Sequence, residues 1–212
     1  MSKIISNQTT HSGKLAFRIF GIICSIFIAT YVILGIPTQL RAEERDNAGE
    51  AVTNLEAYAA FKMGQHDKAR RIWEKLAEKG NVTALLNLAN MFQQAQGVEE
   101  DQKKALTYVR KGAQFGDPRA QYELGMAYER GTILKRDLQQ AAQWFEKAAM
   151  QGEVDAQFAL GVLNVTAFGK GQNSMTVDQR KQAIAWLSKA DAQGHEEART
   201  YLNLIVGKQK PM

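Results

Sequence analysis

Residues 120–152, AQYELGMAYERGTILKRDLQQAAQWFEKAAMQG, contain two runs in which apolar and small side chains recur every three or four positions. This spacing is typical of amphipathic helices and predicts one helix over residues 120–130 and a second over residues 138–151. Asp137 stands where its side chain accepts hydrogen bonds from the free amides of the second helix, and Gly152 where a left-handed residue ends that helix. The stretch therefore predicts a helical hairpin.

Small side chains on the first of these helices indicate how closely the two helices pack. Ala120 and Gly125 leave room for two backbones to approach, and we expect Tyr128 and Trp144 to fill the remaining gap. Further aromatic residues on other second helices are also expected in the core: Trp73, Tyr108 and Trp186.

The pattern of this hairpin returns along the chain at intervals of 36, 36 and 42 residues. Four residue types hold this register: Gly80, Gly116, Gly152 and Gly194; Lys75, Lys111, Lys147 and Lys189; Ala84, Ala120, Ala156 and Ala198; Leu88, Leu124, Leu160 and Leu202. One hairpin cannot bury its apolar face alone, so a repeat of this length predicts stacked hairpins. We therefore predict an all-α solenoid of about four helix-turn-helix repeats over residues 47–206. It ends in a capping helix from Ala198 to Val206, and the loop of its last repeat carries an insertion at 168–178.

The net charge of +5 is concentrated outside the repeats. Residues 1–42 carry four basic side chains and no acidic one, which leaves 23 basic and 22 acidic residues in the remainder. A folded part with so little excess charge has no basic face for a phosphate backbone, so nucleic acid is excluded as a partner. Acidic residues near the lysines in register, namely Glu74, Glu78 and Glu146, predict a solvated outer face. The only cysteine, Cys24, excludes an internal disulfide and a cysteine-based metal site.

An uncharged apolar segment, IFGIICSIFIATYVILGI, occupies residues 19–36 and follows a basic leader at residues 1–18. Its length lies between that of a signal-peptide core and that of a membrane span. The basic residues before it predict a cytoplasmic N-terminus, so the repeats would lie on the periplasmic side of a bacterial inner membrane. Two interpretations remain open: a retained anchor, or a signal peptide cleaved near Ala42. Residues 37–46 are predicted to be a linker and residues 207–212 a C-terminal tail.

Residues 120–152 follow the pattern A-x-x-x-L-G-x-x-Y-x-x-G, a short loop, D-x-x-x-A-x-x-W and A-x-x-G, and the units before and after them match it at most of these positions. Over residues 84–194 this pattern resembles the Sel-one-like repeat, a relative of the tetratricopeptide repeat, and the first unit resembles the tetratricopeptide type more closely. The resemblance implies a right-handed α-solenoid whose first helices line a concave groove. It implies no single function, because the family spans secretion, envelope assembly, signalling and degradation adaptors. Two departures, Asn164 in place of Tyr128 and Asn203 in place of Gly125, predict a less regular groove near the C-terminal end.

No catalytic motif accompanies the repeats. The sequence has no nucleophile elbow, phosphate loop or S-x-x-K motif, and His66 and His195 would lie at opposite ends of the solenoid, too far apart to share a metal. We therefore predict a protein that is not an enzyme and binds no cofactor or metal. Some cysteine-rich family members have been assigned β-lactam binding or hydrolysis, but their paired cysteines are absent here. The alternatives are a secreted enzyme acting on cell-wall or β-lactam-like material, and a structural subunit of a membrane assembly.

A partner-binding groove is the function that the resemblance favours. In related repeats this groove is lined by side chains four residues apart on each first helix. The stripes predicted here are Leu86, Asn90 and Gln94; Tyr122, Met126 and Arg130; and Phe158, Val162 and Thr166. Tyr122 and Phe158 are alternatively core residues that pack against the neighbouring repeat. The resulting hypothesis is a non-catalytic adaptor that binds an envelope protein or peptide in the groove.

Overall fold

A computed structural model describes residues 38–168 and 175–207. Within these residues the chain forms nine helices and no strand: α1 (Thr38–Lys62), α2 (His66–Glu78), α3 (Val82–Gln93), α4 (Gln102–Gln114), α5 (Pro118–Arg130), α6 (Leu138–Met150), α7 (Val154–Leu163), α8 (Val177–Ala192) and α9 (Glu196–Val206). Successive helices from α2 to α9 pack on one another. We number the hairpins repeat 1 (α1 and α2), repeat 2 (α3 and α4), repeat 3 (α5 and α6) and repeat 4 (α7 and α8). The predicted all-α helical repeat solenoid is confirmed.

The N-terminal and loop predictions fall partly outside the described residues. The apolar segment 19–36 and its leader lie outside them, as does most of the insertion predicted at 168–178. Helix α1 begins at Thr38, so residues 38–46, predicted to be a linker, are helical. The physical reason is that these residues are mostly strong helix formers without proline or glycine. The chain divides into two compact units at Ala51, and repeats 2 to 4 lie in the second.

Side-chain caps start several of the helices. Asp117 accepts a hydrogen bond from the backbone amide of Ala120 at 2.7 Å, and Asp137 accepts from two backbone amides of α6 at 3.0 Å, as predicted. In repeat 4 the cap of α8 is Thr176, which forms a reciprocal capping box. Asp178, the nearest acidic residue, lies in the first turn of α8 instead.

A glycine lets the two helices of a repeat pack at short distance. A Cβ atom at Gly125 would lie 2.5 Å from the ring of Phe145, and one at Gly161 would lie 2.6 Å from the side chain of Leu187. Phe145 and Leu187 are fully buried. The gap between α5 and α6 is therefore filled by Phe145, and the prediction that Trp144 fills it is wrong by one residue.

The aromatic residues one position earlier on the second helices are only half-buried. Trp144 and Trp186 each lie beneath a lysine three residues further on, with Nζ of Lys147 and Lys189 at 3.9 and 4.1 Å from the ring centroids. Trp73 occupies the register position of Phe145 rather than that of Trp144, and it is 1% exposed. The core prediction is therefore confirmed for Trp73, whereas the two half-buried tryptophans shield the outer edge of the core.

Glutamine side chains join the ends of the helices in repeats 3 and 4. Gln121 and Gln157 are buried, at 5% and 3% exposure. Gln151 donates to Oε1 of Gln121 at 2.9 Å and to the carbonyl oxygen of Gly116 at 3.0 Å, and Gln193 donates to Oε1 of Gln157 at 2.9 Å. Because Gly116 closes repeat 2, Gln151 holds the ends of two consecutive repeats together.

Candidate functional site

Of the nine residues predicted to line the groove, the three on α5 line one cavity. Tyr122, Met126 and Arg130 on α5 contribute to its wall, and its volume is about 270 Å³. The rest of the wall comes from α5, the loop that follows it and the α3–α4 hairpin: Gln93, Gln102, Leu106, Val109, Glu123, Ala127, Thr132 and Ile133. The cavity therefore lies between repeat 2 and the first helix of repeat 3.

Tyr122 contributes to both the core and the cavity. Its ring centroid lies 5.7 Å from that of Phe145, and the side chain is half-buried. Burial is the main cause that raises the pKa of its hydroxyl, and the negative charge of Asp155 adds to the effect. The phenol therefore stays neutral and is able to donate a hydrogen bond into the cavity.

Glu123 was not among the predicted residues, although it lines the same cavity. Its side chain is 26% exposed, and Oε1 lies 3.7 Å from Nε of Arg119, so the two charges are only loosely paired. Burial raises the pKa of this carboxyl group, an effect that Arg119 opposes. The corresponding residues of repeats 2 and 4 are Asn87 and Ala159. The only sign in the sequence that Glu123 has a special role was that it is the one acidic residue at this position of the three repeats.

Two predicted residues on α3 lie outside the cavity. Asn90 is half-buried, and Gln94 is the exposed C-terminal cap residue of the helix. Gln93 lines the cavity in place of Gln94.

Two predicted residues on α7 also lie elsewhere. Phe158 stacks on His195 with 4.2 Å between ring centroids and meets the ring of Tyr201 edge-on at 5.5 Å. Val162 packs against the same C-terminal apolar cluster. These contacts join α7 to α9, which is the alternative of core packing considered for Phe158.

Histidines and acids do not converge on a metal site in the part of the chain that the structure describes. His195 caps α9, with Nδ1 accepting from the backbone amide of Ala198 at 3.2 Å, and His66 begins α2 near the other end of the repeats. Among the described helices, none has the length and apolar character needed to span a membrane. The predicted segment 19–36 lies outside the residues that the structure describes.

Comparison with known proteins gave one family and several solved structures. The Sel1 repeat model matches residues 62–81, 82–117, 118–153 and 154–195. The chain is similar to a Sel1 repeat protein from Oxalobacter formigenes, with 25% identity, a TM-score of 0.63 and coverage of 73% of this chain and 61% of that one. It is also similar to c5321, a protective antigen present in uropathogenic Escherichia coli strains displaying an SLR fold.

The likeness to c5321 has 24% identity and a TM-score of 0.64, and it covers 79% of this chain and 36% of that one. The chain thus spans less than two thirds of the length of either structure. No curated protein matched the chain.

Proposed function

Because the chain belongs to the Sel1 repeat family, whose members are generally protein–protein interaction scaffolds, we propose that it is a non-catalytic adaptor that binds a partner protein or peptide along its first helices. The resemblance to the Sel-one-like repeat is confirmed over the four matched stretches. The observation that carries the proposal is the cavity beside α5, where aromatic, apolar and charged side chains converge. Such convergence is typical of sites that recognise a side chain or a short peptide.

The cavity presents opposite charges at separate positions. Glu123 and Arg130 both line it and are seven residues apart on α5, which corresponds to two helical turns, or about 10 Å along the axis. Met126 lies between them and supplies apolar surface. A partner segment with a basic and an acidic side chain about 10 Å apart, and an apolar one between them, would pair both charges and cover the methionine.

The location of the protein in the cell is part of the same proposal. The basic leader and the apolar segment 19–36 favour delivery of the repeats to the periplasmic side of a bacterial inner membrane, with the segment retained as an anchor or cleaved near Ala42. An envelope protein or peptide is then the proposed class of partner. The right-handed twist implied by the family resemblance would present α3, α5 and α7 on the concave face.

Photocrosslinking in cells tests the adaptor function. A photoreactive amino acid is placed at Tyr122 or at Arg130, and as a control at Thr107, which is exposed on α4. We expect discrete protein adducts from the two cavity positions and none from Thr107. Met126→Glu should abolish the adducts, because it places an additional charge in the partly apolar cavity.

The folded state of the variants must be matched for this comparison. Circular dichroism and thermal unfolding are used to verify Met126→Glu, and Met126→Leu, which nearly conserves volume, should keep the adducts. Adducts that persist in Met126→Glu, or that form equally well from Thr107, would contradict binding at this cavity.

A further inference from the structure

One aromatic position of the repeat holds a polar side chain in repeat 4. Phe92 of repeat 2 stacks on Tyr108, with 6.0 Å between ring centroids and 19° between ring planes. Tyr128 of repeat 3 packs in the same apolar cluster as Trp144. The residue at this position in repeat 4 is Asn164. Repeat 4 therefore has no ring at the place where repeats 2 and 3 pack a first-helix ring near a second-helix ring.

A second cavity, of about 480 Å³, lies at this place. Asn164, Leu160 and Trp186 line it, together with Ala142 on α6, where the corresponding residue one repeat earlier is Leu106. The remaining lining residues are polar: Gln143, Glu146, Gln179 and Gln182. Two positions that line the cavity, Asn164 and Ala142, thus carry smaller side chains than their counterparts one repeat earlier, which leaves more open space between the helices.

The buried end of this cavity is polar, and the chain there continues from α7 into an irregular helical turn. Asn164 is 7% exposed, and its Nδ2 donates to the carbonyl oxygen of Leu160 at 2.9 Å. The π-helical turn Asn164–Phe168 begins at the same residue. Turns of this kind occur frequently at functional sites. The cavity is therefore a local departure from the repeat in side chains and in backbone.

At this cavity repeat 4 has the same tryptophan–lysine pair as repeat 3 but lacks an aromatic residue at the position of Tyr128. Trp186 has Lys189 over its ring, as Trp144 has Lys147. In repeat 3, Tyr128 also packs in the cluster that contains Trp144. The other lining side chains include three that are exposed and able to form hydrogen bonds: Gln143, Glu146 and Gln182. A ligand that combines a flat apolar ring with a hydroxyl group matches both features.

We propose that this cavity binds an aromatic side chain of a partner protein, tyrosine in particular, in the place that Tyr128 occupies in repeat 3. The bound ring packs on Trp186, and its hydroxyl group bonds with the amide or carboxylate groups that line the cavity. The volume falls in the range of roughly 300–1,000 Å³ that is usual for ligand sites. None of the lining residues is shared with the cavity beside α5, so this site is separate from that of the proposed adaptor function.

Fluorine NMR on the full chain in detergent micelles tests this proposal. The protein is labelled with 5-fluorotryptophan at its three tryptophans, and Trp186→Phe assigns the relevant resonance. Titration with N-acetyl-tyrosinamide should shift the Trp186 resonance saturably and leave that of the buried Trp73 in place. N-acetyl-leucinamide, at the same concentrations, should give no saturable shift.

Two variants that fill the cavity provide the critical comparison. Asn164→Phe supplies the missing ring, and Ala142→Leu restores the side chain found one repeat earlier. Each should weaken tyrosinamide binding about tenfold or more, and each should raise the melting temperature because a cavity is filled. Asn203→Phe, which adds the same ring at an exposed position on α9, is the matched control and should bind as the wild type does.

Three results would overturn the proposal: no saturable shift in the folded wild type, an equal response to leucinamide, or wild-type affinity in a folded cavity-filling variant. Ala142→Leu keeps the test decisive if Asn164→Phe does not fold. Because the readout is the Trp186 resonance, failure here leaves the crosslinking result at Tyr122 and Arg130 unaffected.

Discussion

Repeats 3 and 4 pack their helices over a glycine in the same way but differ in what surrounds that contact. Phe145 lies over Gly125, and Leu187 lies over Gly161, with too little space in either case for a Cβ atom. Beside this contact repeat 3 carries a tyrosine, whereas repeat 4 carries Asn164 and a cavity of about 480 Å³.

The difference shows which positions of the repeat tolerate change. A Cβ atom added to the glycine on which Phe145 or Leu187 rests produces a steric clash, whose energy rises steeply with overlap. A ring removed from the edge of the interface leaves a cavity, whose cost is graded and can be recovered by a ligand. Under a large second-helix side chain the glycine is therefore required in repeats 3 and 4, whereas the ring position is able to change.

Among the variants that test this comparison, Gly125→Ala is expected to change the free energy of unfolding most. The added Cβ would lie 2.5 Å from the ring of Phe145, so α5 and α6 would have to separate. We expect a loss of about 2–3 kcal/mol in the free energy of unfolding, measured by urea denaturation. Repeat 2 has Ala89 and Val109 at these positions, so Gly125→Ala/Phe145→Val should recover part of the loss. A neutral Gly125→Ala would contradict the close packing.

A smaller effect distinguishes the helix starts of the two repeats. Asp117 accepts a hydrogen bond from the amide of Ala120, whereas Glu153, at the same position in repeat 4, makes no capping bond. Asp117→Ala should lower the free energy of unfolding by about 1 kcal/mol, and Glu153→Ala by less than half of that. Glu153→Asp, which shortens the side chain to capping length, should stabilise α7. Equal losses in the two alanine variants would show that the cap of α5 does not contribute.

Repeat 3 should contribute a pH dependence to stability that repeat 4 does not, because repeat 3 has Glu123 where repeat 4 has Ala159. Burial raises the pKa of Glu123 in the folded protein, so the folded state holds that proton more tightly than the unfolded chain does. The free energy of unfolding therefore falls as pH rises from the ordinary value of 4.5 through the raised value.

Glu123→Gln should remove this fall, leaving the variant more stable than the wild type at about pH 7 and not at about pH 3, measured by urea titrations at both values. Ala159→Glu should introduce a fall of the same sign in repeat 4. A wild-type pH profile in Glu123→Gln would refute the assignment.

The smallest effect concerns the lysines over the tryptophan rings. Lys147→Met and Lys189→Met keep most of the apolar stem and remove the charge, so each should lower the free energy of unfolding by about 0.5 kcal/mol. The two losses should be equal within error, because the distances to Trp144 and Trp186 are 3.9 and 4.1 Å. Lys147→Arg retains the cation and is the control. Unequal losses would indicate that the cavity beside Trp186 alters its contact with the lysine.

Much of the fold was predictable because the repeat places the same physical requirements at the same spacing. The left-handed glycines at hairpin ends, the cap at Asp137 and the proline at the start of α5 each have a local cause that is visible in a few neighbouring residues. It was harder to predict which aromatic residue of the second helix is buried. Trp144 and Phe145 are adjacent and both suit an apolar face, and only the position of Gly125 on the facing helix decides which of them is buried.

The candidate site was predictable only in part, for a related reason. Tyr122, Met126 and Arg130 share a stripe on one helix, so helical spacing alone brings them together. Glu123 lies one residue off that stripe and enters the cavity because of how α5 rests against the α3–α4 hairpin. The second cavity is lined by Ala142 and Asn164, which are distant in sequence and are each smaller than the residue at the same position one repeat earlier.

The bonds made by Gln151 bear on the elasticity of the molecule. In a solenoid, a small rotation between neighbouring repeats, multiplied along the array, sets the pitch. Gln151 spans such a junction, from Gln121 to the carbonyl oxygen of Gly116, through contacts that are partly open to water. Hydrogen bonds of this kind are weak enough to exchange with solvent. We therefore expect that stretching the array would break these bonds before the backbone hydrogen bonds of the helices, and that they would form again when the array relaxes.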